Sequence, residues 1–383
     1  MKNLEIVRSS FKSHFGAEGS VYFSPGRINL IGEHTDYNGG FVLPGAVDKG
    51  MMAEIKINGT DKIRAYSIDL NESAEFGLNE EDAPSAGWAK YIFGVVRELS
   101  KRGGKVQGFD TVFTGDVPLG AGMSSSAALE STYAFALNEM FALGFEKKEL
   151  VKVGQMTEHN YVGVNCGIMD QFASIFGKAG HLIKLDCSNM EFEYVPFNPV
   201  GYKVVLLDSV VKHALVGSPY NERRLSCERV AKAINKNHPS VEFMCQASMD
   251  QLNEVKNEVS AEDFNRAEYA VGEAERLRVA CDAMTKGDYE TVGKMMYGTH
   301  WGMSKLYEVS CEELDFLATV AEECGVAGSR IMGGGFGGCT INVVKEDIYD
   351  SFIAKAKSEF AAKYGHEPKV YDVVIGDGSR KIC

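Results

Sequence analysis

The chain has 383 residues, of which 45% are hydrophobic and 24% are charged, and its formal net charge is −13. This composition is typical of a globular protein with two domains, and the negative charge argues against nucleic acid or an anionic membrane as a partner. Nine cysteines without a CxxC pair argue against a disulfide framework or a zinc site. Because no apolar segment resembles a signal peptide or a membrane span, we expect a cytoplasmic protein.

The first 200 residues mix predicted strands with predicted helices. Apolar alternation predicts strands in residues 19–32, 40–58, 62–70 and 108–122, and a hairpin in 181–187 and 192–197. Helical spacing of apolar residues predicts helices in residues 86–103, 127–144, 147–163 and 169–177. This mixture predicts an α+β fold and not the regular alternation of a doubly wound sheet.

A bend that contains proline and glycine, residues 196–202, separates the two halves of the chain. The second half begins with a predicted strand, 203–209, and is then rich in helix. Helices are predicted in residues 219–236, 248–257, 261–286 and 311–324, followed by a glycine-rich hairpin at 328–344 and a last strand at 369–380. This order predicts an antiparallel sheet with helices on one face.

The segment "PLGAGMSSSAALE", Pro118 to Glu130, places a flexible loop directly before a helix. Glycines at 120 and 122 allow the backbone N–H groups to approach a ligand closely. A helix N-terminus attracts anions, so the loop is a candidate phosphate cradle. It is neither a Walker A loop nor a complete dinucleotide fingerprint. A tight turn capped by serines explains the same residues equally well.

The segment "SPGRINLIGEHTDYNGG", Ser24 to Gly40, crowds seven hydrogen-bonding side chains among glycines and apolar residues. These side chains are Arg27, Asn29, Glu33, His34, Asp36, Tyr37 and Asn38. A solvated loop is also polar, but it seldom combines such groups with Leu30 and Ile31. A ligand with many hydroxyl groups needs a donor or an acceptor for each, and function concentrates on loops. We therefore interpret the segment as a binding site.

Two carboxylates and a second glycine-rich stretch complete the candidate residues. A solvated helix face is enough to account for a glutamate at position 158. Favourable interaction with the helix dipole is enough to account for an aspartate at position 170, in the first turn of a predicted helix. Both become candidates for a Mg²⁺ site or a catalytic role only beside a phosphate loop, because Mg²⁺ binds one or two carboxylates together with phosphates. The stretch "MGGGFGGC", Met332 to Cys339, is either a flexible turn or a place of close approach to backbone or ligand.

In this order along the chain, the motifs resemble those of the galactokinase family in the GHMP small-molecule kinase superfamily. "GRINLIGEHTDYNGG" is similar to the galactokinase signature, and "CGIMDQF" to the galactokinase segment that carries the catalytic aspartate. "PLGAGMSSSAALE" is similar to the superfamily's ATP-phosphate loop, and "GSRIMGGGFGGCTINVV" to its third motif. The resemblance covers nearly the whole chain.

The resemblance implies a two-domain GHMP kinase architecture with the active site in the cleft between the domains. We expect an N-terminal domain at residues 1–198, with the sugar signature and the ATP-phosphate loop. We expect a C-terminal domain at residues 199–365, and a C-terminal strand within 366–383 that returns to the N-terminal domain.

The resemblance also implies a role for each candidate residue. Asp170 lies beside the C1 hydroxyl of the sugar, and Arg27 lies close to both Asp170 and the transferring phosphoryl group. The residues implied to bind sugar hydroxyls are Glu33, His34, Asp36 and Tyr220. Those implied to contact ATP are Gly120, Ala121, Gly122, Met123, Ser124, Ser125 and Ser126 at the phosphates, with Trp88 and Tyr91 near the adenine. Mg²⁺ is implied at Ser126 and Glu158.

The implied reaction is the ATP-dependent phosphorylation of galactose at its C1 hydroxyl, which gives galactose 1-phosphate and ADP at the start of the Leloir pathway. The implied partners are galactose and ATP, with Mg²⁺ as cofactor, and we expect a monomer. Three alternatives stay open. They are an N-acetylgalactosamine kinase, a sensor that binds galactose and ATP without turnover, and a nicotinamide oxidoreductase. The last lacks its fingerprint, and sensors of this type lose residues from the stretch that is intact here as "SSSAA".

Overall fold

The computed structural model describes residues 2–118, 120–211 and 220–383. Eleven α-helices lie in these ranges: α1 Lys2–Phe15, α2 Ala89–Lys101, α3 Ser125–Met140, α4 Lys147–Thr157, α5 Met169–Phe176, α6 Tyr220–Asn235, α7 Met249–Glu254, α8 Ala261–Met284, α9 Tyr289–Lys305, α10 Glu312–Glu323 and α11 Tyr349–Tyr364. The described residues also form thirteen strands: β1 Ser20–Asn29, β2 Phe41–Val42, β3 Pro44–Ile57, β4 Lys62–Ser67, β5 Glu72–Gly77, β6 Phe109–Gly115, β7 His181–Asp186, β8 Glu191–Pro196, β9 Tyr202–Asp208, β10 Gly328–Met332, β11 Cys339–Lys345, β12 Lys369–Asp372 and β13 Arg380–Lys381.

A six-stranded sheet in the order β13-β1-β3-β6-β4-β5 organises the first half of the chain. Neighbouring strands are antiparallel except for the parallel pair β4 and β6. Helices α2 to α5 pack on one face around buried Phe93 and Tyr133, and α1 covers the other face with Val7 and Phe11. This packing brings the end of β1 against the loop before α3.

A four-stranded antiparallel sheet, β10-β11-β9-β12, organises the second half. On one face of β9, Val204 and Leu206 pack with α8 and α9. On the other face, Val205 and Leu207 pack with α10 and α11. The prediction of helices on one face of this sheet is therefore wrong. The sequence "VVLL" in β9 has no polar alternation, which is the pattern of a strand buried on both faces.

The structure also contains α1, α9, α11 and β5, which the sequence patterns did not predict. Helix α9 shows why, because it includes three glycines, Gly293, Gly298 and Gly302. Each glycine costs about 1 kcal/mol in a helix relative to alanine, which argues against a helix from sequence alone. Gly293 lies against the backbone of Ala327 and Gly328, where any Cβ would clash. The helix is thus stabilised by close packing that only glycine allows.

The last residues of the chain join both large sheets. β12 pairs with β9 in the second sheet, and β13 pairs with β1 in the first sheet. The prediction of a single strand over 369–380 is therefore wrong, because this region contains two short strands that belong to different sheets. The smaller β2-β7-β8 sheet contains the predicted hairpin. The α+β fold is confirmed, and the division at 198/199 and 365/366 stays our proposal. Within the three described ranges, no helix has the length and apolar character needed to cross a membrane.

Candidate active site

A cavity of about 410 Å³ lies where the two halves of the chain meet. The end of β1 with the loop that follows, the loop before α3, the start of α5 and the glycine-rich turn between β10 and β11 form most of its lining. Further lining residues are Tyr91, Glu158, Val164, Val211 and Tyr220. All the predicted site residues belong to the described part of the chain, and of these only Ala121 and Trp88 are absent from the lining. The structure thus brings together residues that are far apart in sequence.

Residues of the second half hold the loop that follows β1 in place. This loop, residues 30–40, is called the signature loop below. The buried Glu273 carboxylate of α8 accepts hydrogen bonds from the N–H groups of Gly32, at 2.8 Å, and Glu33, at 3.2 Å. The fully buried Arg330 of β10 donates to Glu33 Oε2 over 2.8 Å and to the carbonyl of Leu30 over 2.9 Å. The Gly333 N–H donates to the same Glu33 oxygen over 3.0 Å. These contacts fix where the Glu33 carboxylate lies.

His34 is buried, and only one of its ring nitrogens has a partner within the described residues. Nδ1 lies 2.5 Å from the Tyr37 hydroxyl, whereas Nε2 has no hydrogen-bond partner there. Burial, and secondarily the charge of Arg223, lowers the pKa of His34 to about 3, although the carbonyl of Gly334 opposes this shift. His34 is therefore neutral at physiological pH, and its Nε2 is a buried polar atom without a partner in the described ranges, on a residue that lines the cavity.

Asp36 is a carboxyl group in an unfavourable environment for its charge. Burial, followed by the negative charge of Asp170, raises the pKa of Asp36 to about 7. The carboxyl group lies directly against Gly167, and a Cβ at that position would overlap it. Perturbed carboxyl groups in a cleft are typical of functional sites. Asp36 is thus held against a glycine in a place where its protonation changes near neutral pH.

Arg27 and Asp170 form a two-point ion pair in the cavity. Arg27 Nε and Nη2 each donate to one Asp170 oxygen over 2.7 Å, and Arg27 Nη1 donates to the carbonyl of Gly122. Arg27 is 5% exposed, whereas the Asp170 side chain remains 26% exposed to the cavity. Such bidentate pairs fix both groups in orientation. Asp170 is therefore a positioned carboxylate that a ligand can still reach.

The loop before α3 presents backbone to the cavity and is not closed by its own serines. Ser124, at the N-cap, has φ 55° and makes no side-chain cap hydrogen bond, so the alternative of a serine-capped turn is not what the structure shows. The Arg27 N–H donates to the Met123 carbonyl over 3.0 Å. A Cβ on Gly122 would meet the Met332 carbonyl at 2.7 Å. The loop is thus fixed between β1 and the third motif, with the first turn of α3 open to an anion.

Beside this loop lies a carboxylate at the end of α4. Glu158 begins a π-helical turn and is 6% exposed. Burial raises the pKa of Glu158 to about 7, while a hydrogen bond from Ser126 opposes the shift. Neighbouring Glu130 is fully buried, and Gln171 Nε2 donates to it over 3.1 Å. In the described ranges there is no cluster of three or more His, Cys, Asp or Glu residues that could bind a metal, so a cation here would need ligands from a substrate.

The two aromatic residues expected near the adenine lie in different surroundings. Tyr91 lines the cavity, and burial raises the pKa of its hydroxyl. Trp88 instead donates through its indole N–H to Glu72 over 2.9 Å and packs against Phe113, with ring centroids 5.3 Å apart. Tyr220 is buried at the cavity wall, 5.6 Å from the His34 ring. Tyr91 and Tyr220 therefore line the cavity and Trp88 lies outside its lining, and the position of Trp88 near the adenine stays a prediction.

Sequence reasoning did not identify Glu130, Gly167, Glu273 or Arg330. Gly167 belongs to the quoted segment "CGIMDQF", and its contact with Asp36 gives that glycine a role. Glu273 is 241 residues away from Gly32 in the sequence, and Arg330 is 297 residues away from Glu33. No local spacing links positions so far apart. The available signal was a charged side chain within the predicted helix 261–286 and another within the predicted hairpin 328–344, since a charge that such an element buries is normally paired.

Comparisons with family models identify three segments of the chain. Residues 9–57 match the galactokinase galactose-binding signature. Residues 90–178 match the GHMP kinases N-terminal domain, and residues 280–362 match the GHMP kinases C-terminal model. The first of these segments contains the signature loop, and the second contains the phosphate loop with Glu158 and Asp170.

Comparisons with known proteins extend the similarity to the whole chain. It is 40% identical to a galactokinase of Clostridium acetobutylicum, over 99% of this chain and 98% of the relative. It is also 40% identical to a galactokinase of Fusobacterium nucleatum, over 99% and 100%. Among solved structures, Lactococcus lactis galactokinase complexed with galactose superposes with a TM-score of 0.94 at 34% identity, covering 99% of this chain and 100% of the other. Methanococcus jannaschii mevalonate kinase has the same fold, with a TM-score of 0.65, 18% identity and coverage of 95% and 100%.

Proposed function

The chain belongs to the galactokinase family, and from this premise we propose how its own residues phosphorylate galactose. The enzyme transfers the γ-phosphoryl group of ATP to the C1 hydroxyl of galactose, and the products are galactose 1-phosphate and ADP. The observation that carries the assignment of roles is the two-point pair of Arg27 with Asp170. It holds a carboxylate and a guanidinium where the signature loop meets the phosphate loop.

Galactose binds to the side chains of the signature loop and of α6. Glu33, His34, Asp36 and Tyr220 all line the cavity beside Asp170. Glu33 is held by Arg330, and His34 has a free ring nitrogen among the described contacts. A site built to hydrogen-bond a hydroxyl discriminates strongly, because a mismatched sugar leaves a buried polar group unpaired. These residues therefore orient the C1 hydroxyl and select the sugar.

The phosphates of ATP bind along residues 120–126 and the first turn of α3. The N–H groups there have no helical partner, and the helix dipole favours negative charge. Because Gly122 and Gly333 approach each other closely, the third motif closes the phosphate site from the other side. We propose that Tyr91 and Trp88 lie near the adenine; Tyr91 lines the cavity, and Trp88 packs against Phe113 outside that lining.

We propose that Mg²⁺ is held by the Ser126 hydroxyl and the Glu158 carboxylate. Both residues line the cavity, Ser126 in the first turn of α3 and Glu158 at the end of α4, and both side chains offer oxygen ligands of the kind that Mg²⁺ prefers. Within the described lining, four carboxyl groups face one guanidinium, that of Arg27, so bound phosphates need a further positive charge. When bound, Mg²⁺ supplies that charge to the phosphate oxygens.

The chemical step needs a proton acceptor and charge stabilisation at the sugar. Asp170 accepts the proton of the C1 hydroxyl as that oxygen attacks phosphorus. Arg27 orients Asp170 through two hydrogen bonds and stabilises charge on the transferring group. Phosphoryl transfer passes through a loose transition state, so positioning and charge neutralisation supply most of the catalysis.

For the physiological setting, we propose a monomer in the cytoplasm with galactose and ATP as its partners. The net charge of −13 and the scattered cysteines support this setting. They also argue against a nucleic acid or membrane partner.

An ATP-consumption assay across four acceptors tests the proposal. Galactose should be phosphorylated far better than its C4 epimer glucose, and N-acetylgalactosamine and mevalonate should be poor acceptors. Comparable kcat/KM values for galactose and N-acetylgalactosamine would instead assign an N-acetylgalactosamine kinase. Binding of galactose and ATP without ADP release would assign a sensor.

A further inference from the structure

A chain of buried polar groups runs from the second half of the molecule to His34. The Tyr37 hydroxyl lies 2.5 Å from His34 Nδ1 and 3.1 Å from the Tyr307 hydroxyl. Asn38 Nδ2 and Cys227 Sγ each lie 3.5 Å from the Tyr307 oxygen. Both tyrosines and His34 are at most 6% exposed. The family comparison assigns no role to this chain of contacts. The chain ends at His34 Nδ1, the ring nitrogen that already has a partner within the protein.

The proton positions in this chain follow from which groups can only donate. The Asn38 amide nitrogen donates only, so the Tyr307 oxygen accepts from it. The Tyr307 proton then has three acceptors, the Tyr37 oxygen at 3.1 Å, Cys227 Sγ at 3.5 Å and the Arg223 carbonyl at 3.5 Å. The contact with Tyr37 is the best hydrogen bond, because it is the shortest and sulfur is a weak acceptor. The Tyr37 oxygen therefore accepts this hydrogen bond, and the Tyr37 hydroxyl donates its own proton to another partner.

The acceptor for the Tyr37 proton is His34 Nδ1, a neutral imidazole nitrogen at 2.5 Å. A neutral imidazole has one acceptor nitrogen and one N–H. If Nδ1 accepts, the N–H must be on Nε2, the atom that has no protein partner in the described ranges.

We propose that Tyr37, supported by Tyr307, is a positioning residue that fixes His34 as the Nε2–H tautomer and so makes it a hydrogen-bond donor to one sugar oxygen. The inference rests on the proposed function for the identity of the ligand. Its tautomer part concerns the ligand-free protein alone. A tautomer set by a neighbouring group is a common way to orient histidine in a site.

Nuclear magnetic resonance of ¹⁵N-histidine-labelled protein tests the tautomer directly. The chain has eight histidines, and the His34→Gln variant identifies the signals of His34 by their loss. We expect Nε2 protonated and Nδ1 unprotonated in the wild type, and a mixture of tautomers in Tyr37→Phe. Tyr133→Phe removes a buried hydroxyl that contacts Thr111 and lies outside the cavity lining, and it should leave the His34 signals unchanged. Protonation of Nδ1 in the wild type would overturn the proposal.

Sugar analogues test the donor role without any change to the protein. Fluorine accepts a weak hydrogen bond but cannot donate one, whereas hydrogen does neither. At one of the positions C2, C3, C4 or C6, the deoxyfluoro sugar should bind more tightly than the deoxy sugar, and His34→Ala should abolish that difference. If no position shows a difference that depends on His34, the donor role is wrong.

Kinetics separate positioning from a purely structural effect. Loss of one oriented hydrogen bond predicts an increase of about three- to tenfold in the galactose KM of Tyr37→Phe, with the ATP KM and kcat within about twofold. Tyr133→Phe should change none of these. A uniform loss of activity in both variants would contradict the positioning role. Failure of the wild type to phosphorylate galactose would overturn the proposed function, while the tautomer measurement on the free protein would stand.

Discussion

At the scale of single residues, the Asp36 carboxyl can occupy its place only because position 167 has no side chain. A Cβ on Gly167 would overlap the Asp36 carboxyl group, so Gly167→Ala must move Asp36 out of the sugar site. A displacement of about 1 Å in a site costs about 10²-fold in rate. We expect kcat/KM for galactose to fall by about that factor, with the ATP KM within about twofold, in steady-state assays.

Gly87→Ala is the matched control for this change, because a Cβ there meets no atom within 4 Å. It should leave kcat/KM for galactose unchanged. Wild-type kinetics in Gly167→Ala would show that Asp36 does not depend on the glycine.

The same carboxyl group predicts a pH dependence of stability. The pKa of Asp36 rises from 3.8 in the unfolded chain to about 7 in the folded protein. A raised carboxyl pKa means that the folded state binds the proton more tightly, so its stabilising effect is present at low pH and is lost as the pH rises toward 7. Denaturant titrations of ligand-free protein at pH 5, 6 and 7 should show that the wild type loses more stability over this range than Asp36→Asn. If the stability of the two proteins changes equally with pH, the pKa of Asp36 in the folded protein does not lie near 7.

At the scale of elements, β10 and α8 hold the signature loop more firmly than the loop could hold itself. Arg330 binds the Glu33 carboxylate and two backbone carbonyls of β1 and its following loop. Arg330→Met removes one partner of a buried ion pair, which typically costs about 3–5 kcal/mol. We expect denaturant unfolding to show that loss, together with a raised galactose KM.

Arg278→Met provides the comparison, because Arg278 pairs with Glu275 and Asp282 on the exposed face of α8. Exposed pairs contribute about 0–1 kcal/mol, so this variant should unfold nearly as the wild type does. Equal effects of the two substitutions would mean that the buried contact of Arg330 with Glu33 does not hold the loop.

The elements also show where sequence reasoning succeeds and where it stops. The signature and phosphate loops were recognised because their unusual residues are consecutive, and α2, α4 and α5 because their apolar periodicity is local. Helix α9 was missed because its glycines oppose a helix locally and are explained only by packing, of Gly293 against the start of β10 and of Gly298 and Gly302 against α8. The contacts of Glu273 and Arg330 with the signature loop depend on three-dimensional packing between distant segments, and no spacing in the sequence encodes them.

At the scale of the whole molecule, the cavity exists because the two halves share their interior. The second half supplies Arg330, Glu273 and the glycine-rich turn to a loop that follows β1, and β13 returns to pair with β1. The proposed sugar and nucleotide sites therefore meet at one ion pair, Arg27 with Asp170. This junction is the central claim of the proposed function, because it explains how one carboxylate reaches the sugar hydroxyl while its partner reaches the phosphates.

The rate of Asp170→Asn in a galactose-dependent ATP-consumption assay tests that claim most directly. Asp110→Asn is the matched control, since Asp110 forms a similar two-point pair with Arg64 outside the cavity lining. Galactose binding by both variants, measured by calorimetry, should persist. A positioned general base contributes about 10²–10⁴-fold, so we predict that kcat falls by that factor in Asp170→Asn and stays near the wild-type value in Asp110→Asn. A kcat within about threefold of wild type in a folded, galactose-binding Asp170→Asn, which is less than ~1 kcal/mol of barrier, would contradict the account.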